Sequence, residues 1–435
     1  VEAAIRGRTH QEERHLPDWL QKYMITIRPI LTALRRHKAG TMLIALQIAL
    51  TLAIVCNALF IIHQRLANVS ATSGVDEANV FVIANMWADG GRSTDQVDAQ
   101  VRADLIALRQ LPAVLDATPA SGYPMSGGGW DNFVTMTPDQ VKPTTDVAVY
   151  TGDEHFIDSL GLKLVAGRNF RPDEVMVMGT QQAITPPTVI VSKALADRLF
   201  PDGDALGKSF YAMGATPSTI VGIVDPLHRQ GVDQWSNSYA GQSLIWPLRA
   251  DDSRGIYYIV RARPGQRADA MREAPKALLA QSRQRIIDPK DGVRDYASIR
   301  HKVYDSDRGM VILMGIICVV LLAITAAGIV GLTSFWVGQR RKQIGVRRAL
   351  GARQRDILAY FLTENFLISA SGAALGIVLG FAFNLWTVTH FAMDRMSLVY
   401  VGVGVLMLLL LGQAATLAPA LRASRVSPVE ATRSV

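Results

Sequence analysis

At 435 residues the chain has room for two or three domains of about 100–200 residues each. Apolar residues make up 49% and charged residues 19%, yet charge is almost absent from four long windows, which excludes an ordinary water-soluble chain. The net charge of +8 flanks those windows, so it reads as membrane orientation and excludes nucleic-acid binding as its explanation.

Residues 1–40 read as a cytoplasmic N-terminus. From Pro17 onward Trp19, Leu20, Tyr23, Met24, Ile27, Leu31 and Leu34 recur at helical spacing with Lys22, Arg28 and Arg35 between them, the pattern of an amphipathic helix at the membrane surface. Thr41–Ile62 is free of charge over 22 residues, roughly 30 Å as helix, and is too long for a signal-peptide core. Arg35, Arg36 and Lys38 before this first span (41–62) place the N-terminus in the cytoplasm.

Residues 63–308 contain no membrane-length apolar run and read as a large mixed α/β extracytoplasmic domain. Strands are expected at Asn79–Ala84, Val147–Tyr150, Thr188–Ser192, Thr219–Val224, Ser243–Trp246 and Ile256–Arg261, where β-branched or aromatic runs are bounded by Gly, Pro and Asp. Helices are expected at Thr94–Gln110, Ser192–Phe200 and Ala268–Gln284. The pattern suggests two subdomains, with a division near Tyr150 and a return near Ile256. Gln64–Ala71 and the helical-looking Val293–Arg308 are expected to extend the neighbouring spans as stalks.

The second span (309–338) holds Met310–Val337 without a charge, about 42 Å as helix, so it must tilt or project. A basic cytoplasmic segment (339–356), a third span (357–393), a short outer turn (394–395) and a fourth span (396–421) follow. The tail (422–435) carries Arg422, Arg425 and Arg433, so all basic clusters fall on one side and both termini are cytoplasmic.

Few motifs suggest chemistry. Cys56 and Cys318 lie inside spans and cannot build a disulfide framework or a zinc site. Gly207-Lys208-Ser209 imitates a phosphate loop, but the required upstream glycine is Asp202 and the segment lies on the outer side. With no other such loop, ATP hydrolysis through one is not expected of this chain. Gly127–Trp130 reads as a surface turn. Asp153-Glu154-His155 lacks metalloprotease spacing and reads as a solvated loop. Asn57, Asn384, His390 and Gln413 fit hydrogen bonds between helices better than a transport path. Gly372, Gly376 and Gly380 mark a packing face in the third span, within the chain or between chains.

The segment Gln339–Gly380 carries the sharpest signal. Seven basic residues (Arg340, Arg341, Lys342, Arg347, Arg348, Arg353, Arg355) stand in a helix-compatible stretch between two apolar spans. Lys342-Gln343-Ile344-Gly345-Val346-Arg347-Arg348-Ala349-Leu350-Gly351-Ala352, then Phe361-Leu362-Thr363-Glu364, resembles the cytoplasmic loop and following span of the MacB/FtsX-like (type VII) ABC transporter permeases. Gly161–Arg168, Val191–Ser209 and Pro419–Ala431 are similar to further signatures of that family.

The resemblance implies a non-catalytic permease of the inner membrane, with four transmembrane helices and a MacB-like domain between the first and second. It implies a separate cytoplasmic MacB/LolD-type ATPase that binds ATP and Mg, and a second permease chain, identical or paralogous. A periplasmic membrane-fusion adaptor and an outer-membrane channel are further implied partners. ATP hydrolysis would drive periplasmic-domain motion for efflux of peptides, antibiotics or other substrates. Lipoprotein extraction and FtsX-like control of a cell-wall hydrolase are the alternatives. Arg341 through Ala352 would be the coupling segment, with Ile344, Val346, Leu350 and the basic residues meeting the ATPase. Gln343 departs from the family, which places Glu there.

Overall fold

The computed structural model describes residues 38–88, 92–179, 185–212, 214–231, 239–251, 255–391 and 395–425. The helix expected from Pro17 to Leu34, Asp394 of the outer turn and the tail beyond Arg425 lie outside the described residues. The chain divides into two compact units, one of residues 65–310 and one of the residues on either side.

Helix α1 (Lys38–Ser70) contains the first span and continues unbroken past it, as expected of a stalk. The outer unit then builds two sheets. The first takes β1 (Val80–Trp87), β2 (Val114–Ala120), β11 (Gly255–Ala262), β12 (Arg285–Ile286) and β13 (Val293–Asp295), all antiparallel. Both faces of β1 are covered: Val80 and Val82 enter one core, Phe81 and Ile83 the other. That is why its sequence runs apolar without alternation.

Helix α2 (Thr94–Arg109) starts at a capping box of Ser93 and Gln96 and lays Val97, Val101, Leu105 and Leu108 on this sheet. Asp104 on the same face forms a fully buried ion pair with Arg285 at 2.8 Å and accepts from the Tyr258 hydroxyl at 2.6 Å. Helix α5 (Arg267–Gln281) adds Ala270, Ala274 and Leu278 to that layer.

The second sheet is inserted between β2 and β11. It holds β3 (Trp130–Val134), β4 (Thr145–Gly152), β5 (Leu164–Gly167), β7 (Thr188–Ser192), β9 (Ser218–Val224) and β10 (Ser243–Asp251), ordered β3-β4-β10-β7-β9-β5. Short strands β6 (Met176–Gly179) and β8 (Ser209–Phe210) pair with β10 and β9, while α3 (Phe156–Leu160) and α4 (Lys193–Leu199) pack beside them. The change of sheet therefore falls between Ala120 and Trp130, earlier than the division expected near Tyr150, because β4 is an inner strand of the second sheet. The return near Ile256 matches the start of β11.

Val293–Arg308 is not one helix. Val293–Asp295 pairs with Phe81–Ile83 of β1 before α6 (Tyr296–Val303) begins at an Asp295 cap. Tyr304 separates α6 from α7 (Asp305–Gln339). The remaining helices are α8 (Arg341–Ala349), α9 (Gln354–Phe391) and α10 (Leu398–Ser424). Helices α1, α7, α9 and α10 are each long and apolar enough to cross a membrane.

Candidate coupling site

Helix α8 is the basic segment, and its local geometry follows from its sequence. Leu350 ends it, and Gly351 turns the chain at φ +101°, a conformation that side chains rarely adopt. The Ala352 N–H donates to the Arg347 carbonyl at 3.0 Å and the Gly351 N–H to that of Arg348 at 3.1 Å, closing the helix with a Schellman motif. Asp356 accepts from the Arg353 N–H at 2.9 Å and opens α9. The pair α8–α9 is thus a defined turn between two helices.

The two faces of α8 differ in kind. Ile344 is 5% exposed and packs with Ile357, Phe361, Ala420 and Ala423 from α9 and α10. Gly345 is buried beside it. Arg348 donates to the Ser424 carbonyl at 2.8 Å, satisfying a terminal acceptor of α10. Arg347 lies over the Tyr360 ring at 5.3 Å. Val346 at 52% and Leu350 at 83% are open to solvent, one turn apart, with Lys342, Gln343, Arg353 and Arg355 also exposed.

Ile344 therefore does not face outward as the sequence suggested. A helix offers one face to its own bundle, and Ile344 is on it.

Arg340, just before α8, forms a second internal tie. Its Nη1 reaches both carboxylate oxygens of Glu364, at 3.0 and 2.9 Å, and its guanidinium lies over Trp336. Glu364 is 2% exposed, an acid that burial permits only with a cation beside it. Glu364 stands in the sequence as part of a motif, with nothing there to name Arg340 as its partner. The signal available was one carboxylate at the edge of a charge-free run.

Gly372 and Gly376 pack within the chain. A Cβ at Gly372 would stand 2.7 Å from the Ala45 carbonyl, and one at Gly376 2.8 Å from that of Ala49, so α1 and α9 touch backbone to backbone. Gly380 is looser, 3.6 Å from Ala53, and its carbonyl accepts from Asn57 at 3.4 Å. The Asn384 amide oxygen accepts from the Met396 N–H at 3.1 Å across the α9–α10 turn, and Thr51 and Thr325 join α1 to α7 at 2.9 Å. These amides serve helix packing. Cys56 and Cys318 are both free and buried.

In the outer unit, Asp153-Glu154-His155 is not a solvated loop. Asp153 is 2% exposed and held by the Thr118 hydroxyl at 2.6 Å and Arg109 at 3.1 Å. Burial raises its pKa against those two contacts, while the hydrogen bond to Asp116 raises that of His155. The cluster ties β2 and α2 to the loop after β4. Lys208 of the imitation phosphate loop pairs with Asp204 on a surface turn. A groove of about 520 Å³ opens beside β1 and β11, with Met86, Ile286 and Tyr257 among its walls.

Comparison with known proteins gives two family matches. Residues 41–278 match the MacB-like periplasmic core domain, and residues 315–428 match the FtsX-like permease C-terminal region. The uncharacterized ABC transporter permease YvrN of Bacillus subtilis is 27% identical over 66% of this chain and 69% of its own length. The macrolide export ATP-binding/permease protein MacB 1/2 of Paracoccus denitrificans is 26% identical over 93% of this chain and 58% of its own length. The chain spans about half the length of the MacB relatives it matches. The crystal structure of the periplasmic region of MacB from Actinobacillus actinomycetemcomitans covers 53% of this chain and 94% of that one at 15% identity, with a TM-score of 0.33.

Proposed function

This chain belongs to the MacB/FtsX-like ABC transporter permeases, and on that premise we propose that it is the non-catalytic subunit through which a separate MacB/LolD-type ATPase moves the outer domain. The observation that carries the reading is the division of labour on α8. One face is consumed by the helical bundle, while Val346 and Leu350 stay exposed among cations. Exposed apolar residues one turn apart, rimmed by positive charge, suit an apolar groove with an acidic edge.

ATP and Mg belong in this account to the ATPase, which supplies the phosphoryl-transfer chemistry. This chain supplies the docking helix and a rigid path away from it. Arg340–Glu364, Arg348–Ser424 and the Ile344 cluster hold α8 against α9 and α10, so a displacement of α8 is delivered to two spans together. The chain resides in the bacterial cytoplasmic membrane with both termini inside and works beside a second permease chain. Efflux is the favoured outcome, with an adaptor and an outer-membrane channel completing the route.

Gln343 is exposed on the docking side, where the family places Glu. One negative charge is thus missing from that surface, which favours a paralogous partner permease carrying it. The test is ATP hydrolysis by the copurified complex. Leu350→Glu should abolish the coupling of hydrolysis to this chain while leaving membrane insertion intact. Unchanged coupling in that variant contradicts the assignment.

A further inference from the structure

The outer unit is joined to the rest of the chain by two segments, residues 65–77 at its start and residues 296–310 at its end. Movement passed along the chain into it enters through these two. They are fastened to each other by one side chain above all. Arg300 on α6 donates through Nη1 to the Val69 carbonyl at 2.9 Å and the Ala71 carbonyl at 3.0 Å, at the C-terminal end of α1. The same guanidinium donates through Nε to Glu77 at 3.3 Å and pairs with it through Nη2.

Three neighbours complete the arrangement. The Ser73 hydroxyl donates to Glu77 at 2.5 Å, and the Ser73 carbonyl accepts from the His228 N–H at 3.0 Å. Closer to the start of α7, Arg65 pairs with Asp307 at 2.9 Å, with both side chains mostly covered. Burial would raise the Glu77 carboxyl, but the Arg300 and Ser73 hydrogen bonds outweigh it and hold the group below its ordinary range.

We infer that Arg300 is a positioning residue that clasps the end of α1 to α6, so that the two connecting segments move as one piece. The inference rests on the mechanical reading above and adds a restriction to it. Splaying of α1 from α6–α7 within a single chain is excluded as the working motion. Only a planar guanidinium can serve a carboxylate and two carbonyls at once, since its donors point along fixed and separate directions. A lysine at this position carries the same charge without that fork. The Arg65–Asp307 pair extends the fastening by about one further turn of α1 toward the membrane span.

The experiment uses the full chain with Cys56 and Cys318 changed to Ala, in lipid nanodiscs, with nitroxides at Leu66→Cys and Ser306→Cys. Both labelled positions are exposed. Electron paramagnetic resonance should give a single narrow distance that ATP leaves unchanged in the complex. Arg300→Gln should lose that single distance, Arg300→Lys should restore it only in part, and coupled ATP hydrolysis should fall with it. Glu77→Gln, which removes the carboxylate that Arg300 pairs with, carries the same test should Arg300→Gln fail to fold. A narrow distance that survives both substitutions overturns the clasp and leaves the mechanical reading standing. A broadened distance with wild-type coupling overturns the clasp's role in transmission. A wild-type complex with no ATP-coupled activity fails the mechanical reading instead, while the spin–spin distance still reports on the clasp.

Discussion

Replacing Leu350 and Ile344 separately by alanine distinguishes docking from support on one short helix. Leu350 is 83% exposed, so its truncation removes almost no packing and should change stability by less than about 0.5 kcal/mol. If the side chain enters an apolar groove of the ATPase, its loss should weaken docking by about 1.5–3 kcal/mol, the usual value of one buried leucine. That corresponds to roughly ten-fold to one-hundred-fold in Kd. Ile344 is 5% exposed within its cluster, and its truncation should cost about 2 kcal/mol or more in stability.

Both variants would be reconstituted in nanodiscs and unfolded by heat with tryptophan fluorescence as the probe. Each would then be titrated with the ATPase subunit that copurifies with the wild type. The expected pattern is a normal melting temperature with weak docking for Leu350→Ala, and a lowered melting temperature for Ile344→Ala. Normal docking by Leu350→Ala would refute the reasoning, as would a docking defect in an Ile344→Ala chain of unaltered stability.

Three further outcomes follow from the geometry. Gly376→Leu should destabilise the bundle by about 1–3 kcal/mol, because its Cβ would meet the Ala49 carbonyl at 2.8 Å, whereas Gly380→Ala should be tolerated; melting in nanodiscs separates them. Asp104→Ala should cost about 3–5 kcal/mol by stranding buried Arg285, and Asp104→Leu with Arg285→Met should recover most of it, read by the same melts. His228 is held below its ordinary value of 6.5 by burial, aided by the positive charges of Arg229 and Arg300, which outweigh the opposing hydrogen bond to the Arg229 carbonyl and the charge of Glu77. The unfolded chain then takes up this proton first, so outer-unit stability should fall as pH drops below about 6.5. His155 acts with the opposite sign, its raised pKa giving stability that is lost on the alkaline side. In a His228→Gln variant the acid-side fall should shrink; an unchanged pH profile would contradict the assignment to His228.

Much of the architecture was legible because membrane spans and buried strands write long signals. Four charge-free windows became four helices, and the apolar run at Asn79–Ala84 became a strand covered on both faces. Short pairings were not legible. Val293–Asp295 looked helical because three residues carry no periodicity, and only the free edge of β1 makes them a strand. Asp153 looked solvated because its partners, Arg109 and Thr118, lie far away in sequence. The basic segment was recognisable by charge and motif, but charge does not say which face is buried. Ile344, Val346 and Leu350 are equivalent in composition and differ only in where α9 and α10 stand. The packing role of Gly372 and Gly376 was visible as spacing, whereas their partner, α1, needed the fold.

On the proposed function the exposed face of α8, and not its buried face, meets the ATPase. Photo-crosslinking in intact cells tests it most directly, with a benzophenone amino acid placed in turn at positions 346, 350 and 344. A crosslink is expected from 346 and 350 to a MacB/LolD-type ATPase identified by mass spectrometry, and none from 344. No ATPase adduct from 350, or an equal yield from 344, would contradict it.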